Sequence, residues 1–397
     1  MKRKYLYPAD IMLPKKGFEK WAVVACDQYT SEPDYWNAVE SFVGEAPSTL
    51  RITLPEIYLS GNVQERIDRV NANMKSYVEN GVFETFENSM IYVEREISSG
   101  EIRHGIVGAL DLTEYDWHPG AKSLIRATEQ TVIERIPPRV EIRKNAPLEL
   151  PHILILIDDP ENKVLGALES AKSEMKKAYG FDLMQSSGHI DGYFINESMQ
   201  AAINEALSTL ISEDGMLFAV GDGNHSLATA KECYERNPSE MSRYALCEIV
   251  NIHDSSLVFE PIYRVVFGVS PEDMLSSIEA HFASCDSENG RKVRYLYKGC
   301  EKELCIDTNG SLTVGALQNF LDSYVNEHEG ASIDYIHGED VAMKLSEKEN
   351  TVGFIFDGMK KSELFPAIML DGVLPRKTFS MGHASDKRFY IEARKIK

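Results

Sequence analysis

What the sequence lacks narrows it first. No window approaches about 18 consecutive apolar residues, the length a membrane-spanning helix needs, and the longest apolar runs, such as Ile153 to Ile157, are strand-sized. A membrane protein is not expected. Six cysteines are scattered through 397 residues, and the N-terminal MKRKYLYPAD runs into no apolar segment of the signal-peptide kind. The expected compartment is the cytoplasm, with reduced thiols. Basic residues are scarce: 42 Lys and Arg face 62 Asp and Glu, a net charge of -20. Such a surface repels nucleic acid and anionic lipid, so neither is an expected partner, and an anionic ligand needs a local positive site. Also missing are H-E-x-x-H, paired C-x-x-C, Walker A, G-x-S-x-G and G-x-G-x-x-G motifs, which argues against zincins, structural zinc, P-loop enzymes, serine hydrolases and Rossmann dehydrogenases.

What is present belongs to a globular protein: 43% hydrophobic and 26% charged residues, enough to bury a core and to form more than one domain. Short apolar runs alternate with helical patterns, so the expected class is α+β, a mixed α/β fold. We expect a main domain over residues 1–265 and a smaller α/β lobe over 266–397, whose basic C-terminal segment returns to the main domain. Trp21 to Cys26 reads as a buried strand, followed by a helix opening near Pro33. Val63 to Asn80 reads as a helix, and Met90 to Ile97 with Ile102 to Leu112 as a hairpin. Ser123 to Lys144 reads as a helix broken by Pro137 and Pro138. His152 to Ile157 is a strand, Lys163 to Tyr179 a helix, Ile190 to Ile195 a strand, and Asn196 caps a helix to about Ile211. Met216 to Val220 forms a strand that turns through Gly221 to His225 into a helix ending near Arg236. Further on, helices are expected at Pro271 to Phe282, Val314 to His328 and Gly338 to Leu345. Strands are expected at Val293 to Tyr297, Val352 to Phe356 and Arg388 to Ile391.

Four segments carry residues suited to chemistry. The turn Gly221-Asp222-Gly223-Asn224-His225 sets two glycines and three polar side chains between a strand and a helix. Glycine permits close approach of a ligand, and the open N–H groups at a helix start favour an anion. There, Asp222 is suited to hold a cation or take a proton, and His225 to act as acid, base or phosphate contact. The segment from Lys122 to Lys144 holds six Lys or Arg and three Asp or Glu. A helix would put Arg126, Glu129 and Gln130 on one face, with Thr131 and Arg135 nearby. The tail from Arg376 to Lys397, with seven Lys or Arg against two Asp or Glu, offers Arg376, Lys377 and His383 for phosphate or carboxylate. Finally, Asp27, Gln28 and Tyr29 follow the first buried strand, where α/β proteins place ligand contacts. Cys26 suits a small core residue better than a nucleophile. The pair His189 and Asp191 would share a metal with Asp222 and His225 only if the fold joins them.

Taken together, PADIMLP, ACDQYTSEPDYW, SLIRATEQTVIERIPPR, DGNHSLATAK and LPRKTFSMGHASDKRFYIEARKI resemble a large bacterial family, the domain of unknown function numbered one thousand and fifteen. The resemblance runs from about Tyr7 to Ile396. Many members carry D-G-H-H-R where this chain has Asp222-Gly223-Asn224-His225-Ser226, a box similar to that of ParB and sulfiredoxin-like proteins. That wider group includes a free-serine kinase and CTP-binding partition proteins. The resemblance implies a ParB/sulfiredoxin-like core and nucleotide phosphates at the Gly-rich turn, with ATP, ADP or another nucleotide and Mg²⁺ as cofactors. In this scheme Asp222, His225 and Glu129 are catalytic. Gly221, Gly223, Asn224, Arg126, Thr131, Arg135, Arg376, Lys377 and His383 hold the nucleotide, while Asp27, Gln28 and Tyr29 meet the acceptor. The box departs from the family at Asn224 and Ser226, where the missing Arg removes a phosphate clamp. Three activities fit these residues: phosphoryl transfer to a small metabolite, sensing of a small anionic metabolite without turnover, and metal-dependent hydrolysis or isomerisation through Asp222 and His225. The expected partner is a small phosphorylated or anionic molecule, and a homodimer is compatible with the sequence.

Overall fold

The computed structural model describes residues 3–59, 62–118, 120–129, 131, 136–286, 290–308, 310–375 and 377–397. The chain divides into two units, Met1–Leu257 with Gly382–Lys397, and Val258–Met381. The second unit thus begins ahead of the strand Phe259–Phe267, earlier than the break expected after residue 265, and the final segment belongs with the first unit.

The first unit is built on a nine-stranded mixed sheet. Its strands run in the order Lys176–Asp182, His189–Phe194, Ile91–Glu96, Ile102–Asp111, Tyr244–Asn251, Leu154–Ile157, Phe218–Asp222, Ile125–Ala127 and Tyr115–Asp116. Alternation along the strands feeds two cores, because successive side chains leave a strand on opposite faces. Tyr92, Ile106, Leu110, Ile155, Ile157, Phe218 and Val220 pack on one side, against Ile136, Val140, Leu165, Leu168, Ile203, Leu207 and Leu227 from four helices. Those helices are Ile136–Arg143, Leu165–Ser170, Glu197–Ser208 and Asn224–Arg236. Ile91, Val93, Val107, Ala109 and Leu246 feed the other core, with Trp36, Val39 and Val43 of helix Pro33–Val43. Among the described residues no helix is long and apolar enough to cross a membrane.

Several expected elements form as read: the hairpin Ile91–Glu96 with Ile102–Asp111, helix Val63–Glu79, and helix Glu197–Ser208 capped by the Asn196 side chain. Three expectations fail. Ile125–Ala127 is a strand, parallel to Phe218–Asp222, rather than the start of a helix. The helix comes later, at Ile136–Arg143, with Pro137 in its first turn, where a missing N–H leaves no bond unmade. The expected helix Lys163 to Tyr179 stops at Ser170, and Lys176–Asp182 becomes an edge strand. Tyr179 and Phe181 are buried there at alternate positions, and the Tyr179 hydroxyl donates to Glu392. Around Trp21 the chain makes a short helix, Phe18–Trp21, and only Val23–Val24 is strand, paired with Phe389–Tyr390.

The second unit carries a six-stranded antiparallel sheet. Its main path runs Cys300–Ile306, Arg291–Tyr297, Thr351–Phe356, Phe259–Phe267 and Ser332–His337, with Phe379–Met381 pairing the start of Phe259–Phe267. Helices Pro271–His281, Thr313–Glu327, Glu339–Leu345 and Leu364–Asp371 complete it. Cys285 and Cys305 are joined by a disulfide here, contrary to the expectation of wholly reduced thiols, and the other four cysteines are free.

Candidate functional site

Strand register assembles the site. Asp222, the last residue of Phe218–Asp222, lies opposite Leu154, so the chain just before Leu154 brings His152 toward the turn at Gly223. On the other side Val220 pairs with Ala127, which sets Thr128 beside the same turn, where its hydroxyl donates to the Val220 carbonyl at 2.7 Å. Pairing of Val24 with Phe389, continued by Ala25 N–H to Arg388 O at 2.9 Å, carries Cys26 and Asp27 toward Lys387. Three stretches far apart in sequence therefore meet at one end of the sheet.

At the turn, Gly223 has φ 80° and is the N-cap of helix Asn224–Arg236, where, being glycine, it offers no side-chain cap. A Cβ on Gly223 would meet the Ile153 Cα at 3.1 Å in a backbone region closed to most residues. Gly223→Ala is expected to cost roughly 1–2 kcal/mol, the penalty of a left-handed L-residue. The check is the urea midpoint, and an unmoved midpoint would count against this account of the turn. Asp222 accepts from the Gly223 N–H at 2.8 Å and lies 3.2 Å from Lys387 Nζ. Asn224 reaches the Thr128 hydroxyl at 3.4 Å. Asn224 Oδ1 and Thr131 Oγ1 are buried without a hydrogen-bond partner among the described residues. His225 is half-buried in the first helical turn.

Across from the turn, Gln28 donates to Asp27 at 3.0 Å. Burial pushes the Asp27 carboxyl up, but His152, the Gln28 amide and Lys387 outweigh it and hold it below the usual carboxylate range. Buried His152 shares Nδ1 with the Tyr390 hydroxyl at 2.9 Å and Nε2 with Ser226 at 3.4 Å. The same Tyr390 oxygen accepts from the Cys26 N–H at 3.2 Å. Burial holds this phenol well above its ordinary range, so it stays neutral. Burial and the neighbouring Asp27 push the Cys26 thiol up to about 12, which leaves no thiolate for nucleophilic work. Tyr29, at φ 52°, stacks on Tyr35 with ring centroids 3.7 Å apart.

The structure brings Asp222, Gly221, Gly223, Asn224, His225, Asp27 and Gln28 to one end of the sheet. Glu129 and Thr131 belong to the adjoining loop after Thr128. Arg126 is elsewhere engaged: it is buried, bonded to Asp214 Oδ2 at 2.6 Å and to the Asp214 and Ser123 carbonyls, so it is not a phosphate clamp. Lys377 lies in the second unit, where its carbonyl accepts from Arg264. His383 lies in the first unit, its N–H donating to Asp386. Gln130, Arg135 and Arg376 fall outside the described residues. The two metal half-sites do not meet: His189 is bonded to Asp182, Asp191 is paired with Lys177, and their strand is separated from Phe218–Asp222 by four intervening strands. Among the described residues no group of three His, Cys, Asp or Glu side chains is placed to hold a metal ion.

His152, Tyr390, Thr128 and the role of Lys387 are not read from the sequence, and Ser226 enters it only as a departure from the family's box. One signal was available, a histidine standing alone at the head of the apolar run Ile153 to Ile157.

A family model described as "Protein of unknown function (DUF1015)" matches residues 7–368. No curated protein matches. Among solved structures, the chain is similar to a free serine kinase in complex with AMP, at 12% identity and a TM-score of 0.40, over 72% of this chain and 91% of that one. It is also similar to a conserved hypothetical protein from Pyrococcus furiosus, at 11% identity and a TM-score of 0.37, over 72% and 94% of the two chains. A third is SbnI with C-terminal truncation from Staphylococcus aureus, at 10% identity and a TM-score of 0.35, over 72% and 81%. Likenesses this distant carry no inference about activity.

Proposed function

We propose a function from the premise that the chain belongs to the DUF1015 family: it binds a nucleotide or another phosphorylated small molecule at the start of helix Asn224–Arg236 and transfers a phosphoryl group to a small acceptor. The observation that carries this reading is the junction of a helix start with a glycine N-cap with Lys387, Asp222 and Asp27 in a chain otherwise strongly acidic. Backbone N–H groups and the positive end of the helix dipole favour a phosphate. Lys387 adds the charge that the absent Arg of the box would supply. It faces two carboxylates, so an incoming phosphate competes for a cation already in place.

Phosphoryl transfer needs little covalent work from the protein; positioning and charge neutralisation dominate. In the scheme Asp222 takes the proton of the acceptor hydroxyl as its oxygen bonds to phosphorus. The bond from phosphorus to the bridging oxygen of the donor breaks, and Lys387 and the helix start neutralise the charge that oxygen gains. Asp27, kept ionised by His152, Gln28 and Lys387, is suited to orient the acceptor. Magnesium brought by a nucleotide would add charge neutralisation, with Asp27 and Asp222 the carboxylates that would receive it. No step above depends on it.

A thermal-shift screen of the purified chain against ATP, ADP, CTP, phosphorylated metabolites and amino acids, with and without Mg²⁺, tests the binding claim. A ligand of the folded state at a hundred times its Kd stabilises by about 2.7 kcal/mol. The expected result is a shift with one or more phosphorylated ligands that weakens about tenfold in apparent affinity in Lys387→Ala, the loss of one charge-assisted contact. A shift produced only by unphosphorylated metabolites would replace the transferase reading with that of a sensor.

A further inference from the structure

Ser226 has no part in the transfer scheme above, yet it stands half-buried in the first turn of helix Asn224–Arg236 with its hydroxyl 3.4 Å from Nε2 of buried His152. Among the described residues this is the one hydrogen bond that hydroxyl makes. The contact is long, but a nucleophile and its base commonly stand this loosely until a substrate draws them together.

The far side of the imidazole decides which way the proton runs. Nδ1 lies 2.9 Å from the Tyr390 hydroxyl, whose oxygen accepts from the Cys26 N–H and whose proton faces the Cys26 sulfur. Tyr390 therefore takes the Nδ1–H as well, a tautomer assigned from this pattern of partners, and Nε2 meets Ser226 with a lone pair. A base must also tolerate the charge it gains. Asp27 is held ionised partly by His152 itself, so the imidazolium formed on proton uptake has a counter-charge already in place. Ser226, His152 and Asp27 thus stand as nucleophile, base and carboxylate, with Tyr390 fixing the ring. A phosphoryl group on Ser226 would lie at the positive end of its own helix, where added negative charge is favoured.

We propose that Ser226 is a nucleophile activated by His152, and that phosphoryl transfer passes through a phosphoserine at this position. The proposal rests on the phosphoryl-transfer reading above and divides its single displacement into two. In the first, Ser226 Oγ bonds to the donor's terminal phosphorus and its proton passes to His152 Nε2. The bond from phosphorus to the donor's bridging oxygen breaks, and that oxygen keeps the electron pair beside Lys387 and the helix start. In the second, the acceptor oxygen bonds to the same phosphorus as Asp222 takes its proton. The bond from phosphorus to Ser226 Oγ then breaks, and His152 returns the proton to that oxygen.

The test incubates the full chain with ATP or ADP, each with Mg²⁺ and no acceptor, quenches near neutral pH and maps the product by peptide mass spectrometry, with binding followed in parallel by thermal shift. Phosphate is expected on Ser226, absent in Ser226→Ala, and formed about a hundredfold more slowly in His152→Gln, which keeps a polar side chain but supplies no base. Product nucleotide carrying a labelled nucleobase should exchange back into the donor without acceptor, the mark of a competent intermediate. A fluorophosphonate, which reacts with activated serines and needs no nucleotide, should label Ser226 and be slowed alike in His152→Gln. If His152→Gln fails to fold, Ser226→Ala and the exchange decide. Nucleotide that binds without phosphorylating Ser226, or phosphate recovered on His225 instead, overturns the proposal while the binding claim stands. A fluorophosphonate that leaves Ser226 unlabelled overturns it too. If neither nucleotide binds, the nucleotide reading falls, and this inference with it.

Discussion

Asp222→Asn is expected to lower phosphoryl transfer about a thousandfold while leaving the Kd of the phosphorylated donor within about threefold. The substitution keeps the side chain's size and an oxygen for the Gly223 N–H, so the turn survives. It removes the group that takes the acceptor's proton. It also frees Lys387 from its carboxylate partner, so donor binding should hold or tighten slightly. Rates with saturating donor and acceptor, set beside binding measured without acceptor, separate the two effects. Equal losses in both would mean that Asp222 only shapes the phosphate site. An unaltered rate would assign the proton to another group, with Asp27 next in line.

The largest effect on stability is expected one residue beyond Lys387. Arg388 is buried and bonded to Glu248 and Glu392, which are as deeply buried, while the Tyr179 hydroxyl donates to Glu392. Burial works against the Arg388 charge, yet the two carboxylates more than restore it. Arg388→Met leaves Glu392 without its cation and Glu248 with only Arg103, whose Nε lies 3.9 Å away, and should cost about 3–5 kcal/mol, visible as a lower urea midpoint at unchanged slope. Replacing a whole buried ion cluster by apolar residues is often neutral, so the loss measures an abandoned charge rather than the worth of the cluster. A loss below about 1 kcal/mol would mean that the carboxylates take up protons or find another partner. Because this arginine anchors the strand that presents Lys387, the same variant should weaken phosphate binding.

Local pattern carried the sequence reading where neighbours in the chain are neighbours in space. The hairpin of Ile91–Glu96 with Ile102–Asp111 and the unit running from Phe218 through Gly223 into helix Asn224–Arg236 were legible, because turn glycines and hydrophobic period need no distant partner. Ile125–Ala127 was not. Its helical spacing of Arg126 and Glu129 is overridden by a parallel strand partner more than ninety residues away, and the buried Arg126 finds its own partner in Asp214. The edge strand Lys176–Asp182 was mistaken in the same way, since its β character comes from pairing with His189–Phe194 and from the Tyr179 contact to Glu392.

Half of the candidate site was visible for the same reason. Asp222, Gly223, Asn224 and His225 announce themselves within five residues, and Asp27 follows a short buried run. His152 reaches Tyr390 across 238 positions, a contact no spacing rule reveals. Lys387 was noticed only as part of a basic tail, and its role emerges from the pairing of Val24 with Phe389. The likeness of the box to ParB and sulfiredoxin-like proteins rests on the sequence of this turn alone.

The most direct test follows backbone amide resonances at selectively ¹⁵N-labelled Asn, His and Ser positions as ATP, ADP or inorganic phosphate is added. The account predicts the largest saturable shifts at Asn224, His225 and Ser226, lost in Lys387→Ala. Saturating phosphorylated ligand that leaves these three amides unmoved, or moves others while they stay still, would contradict it.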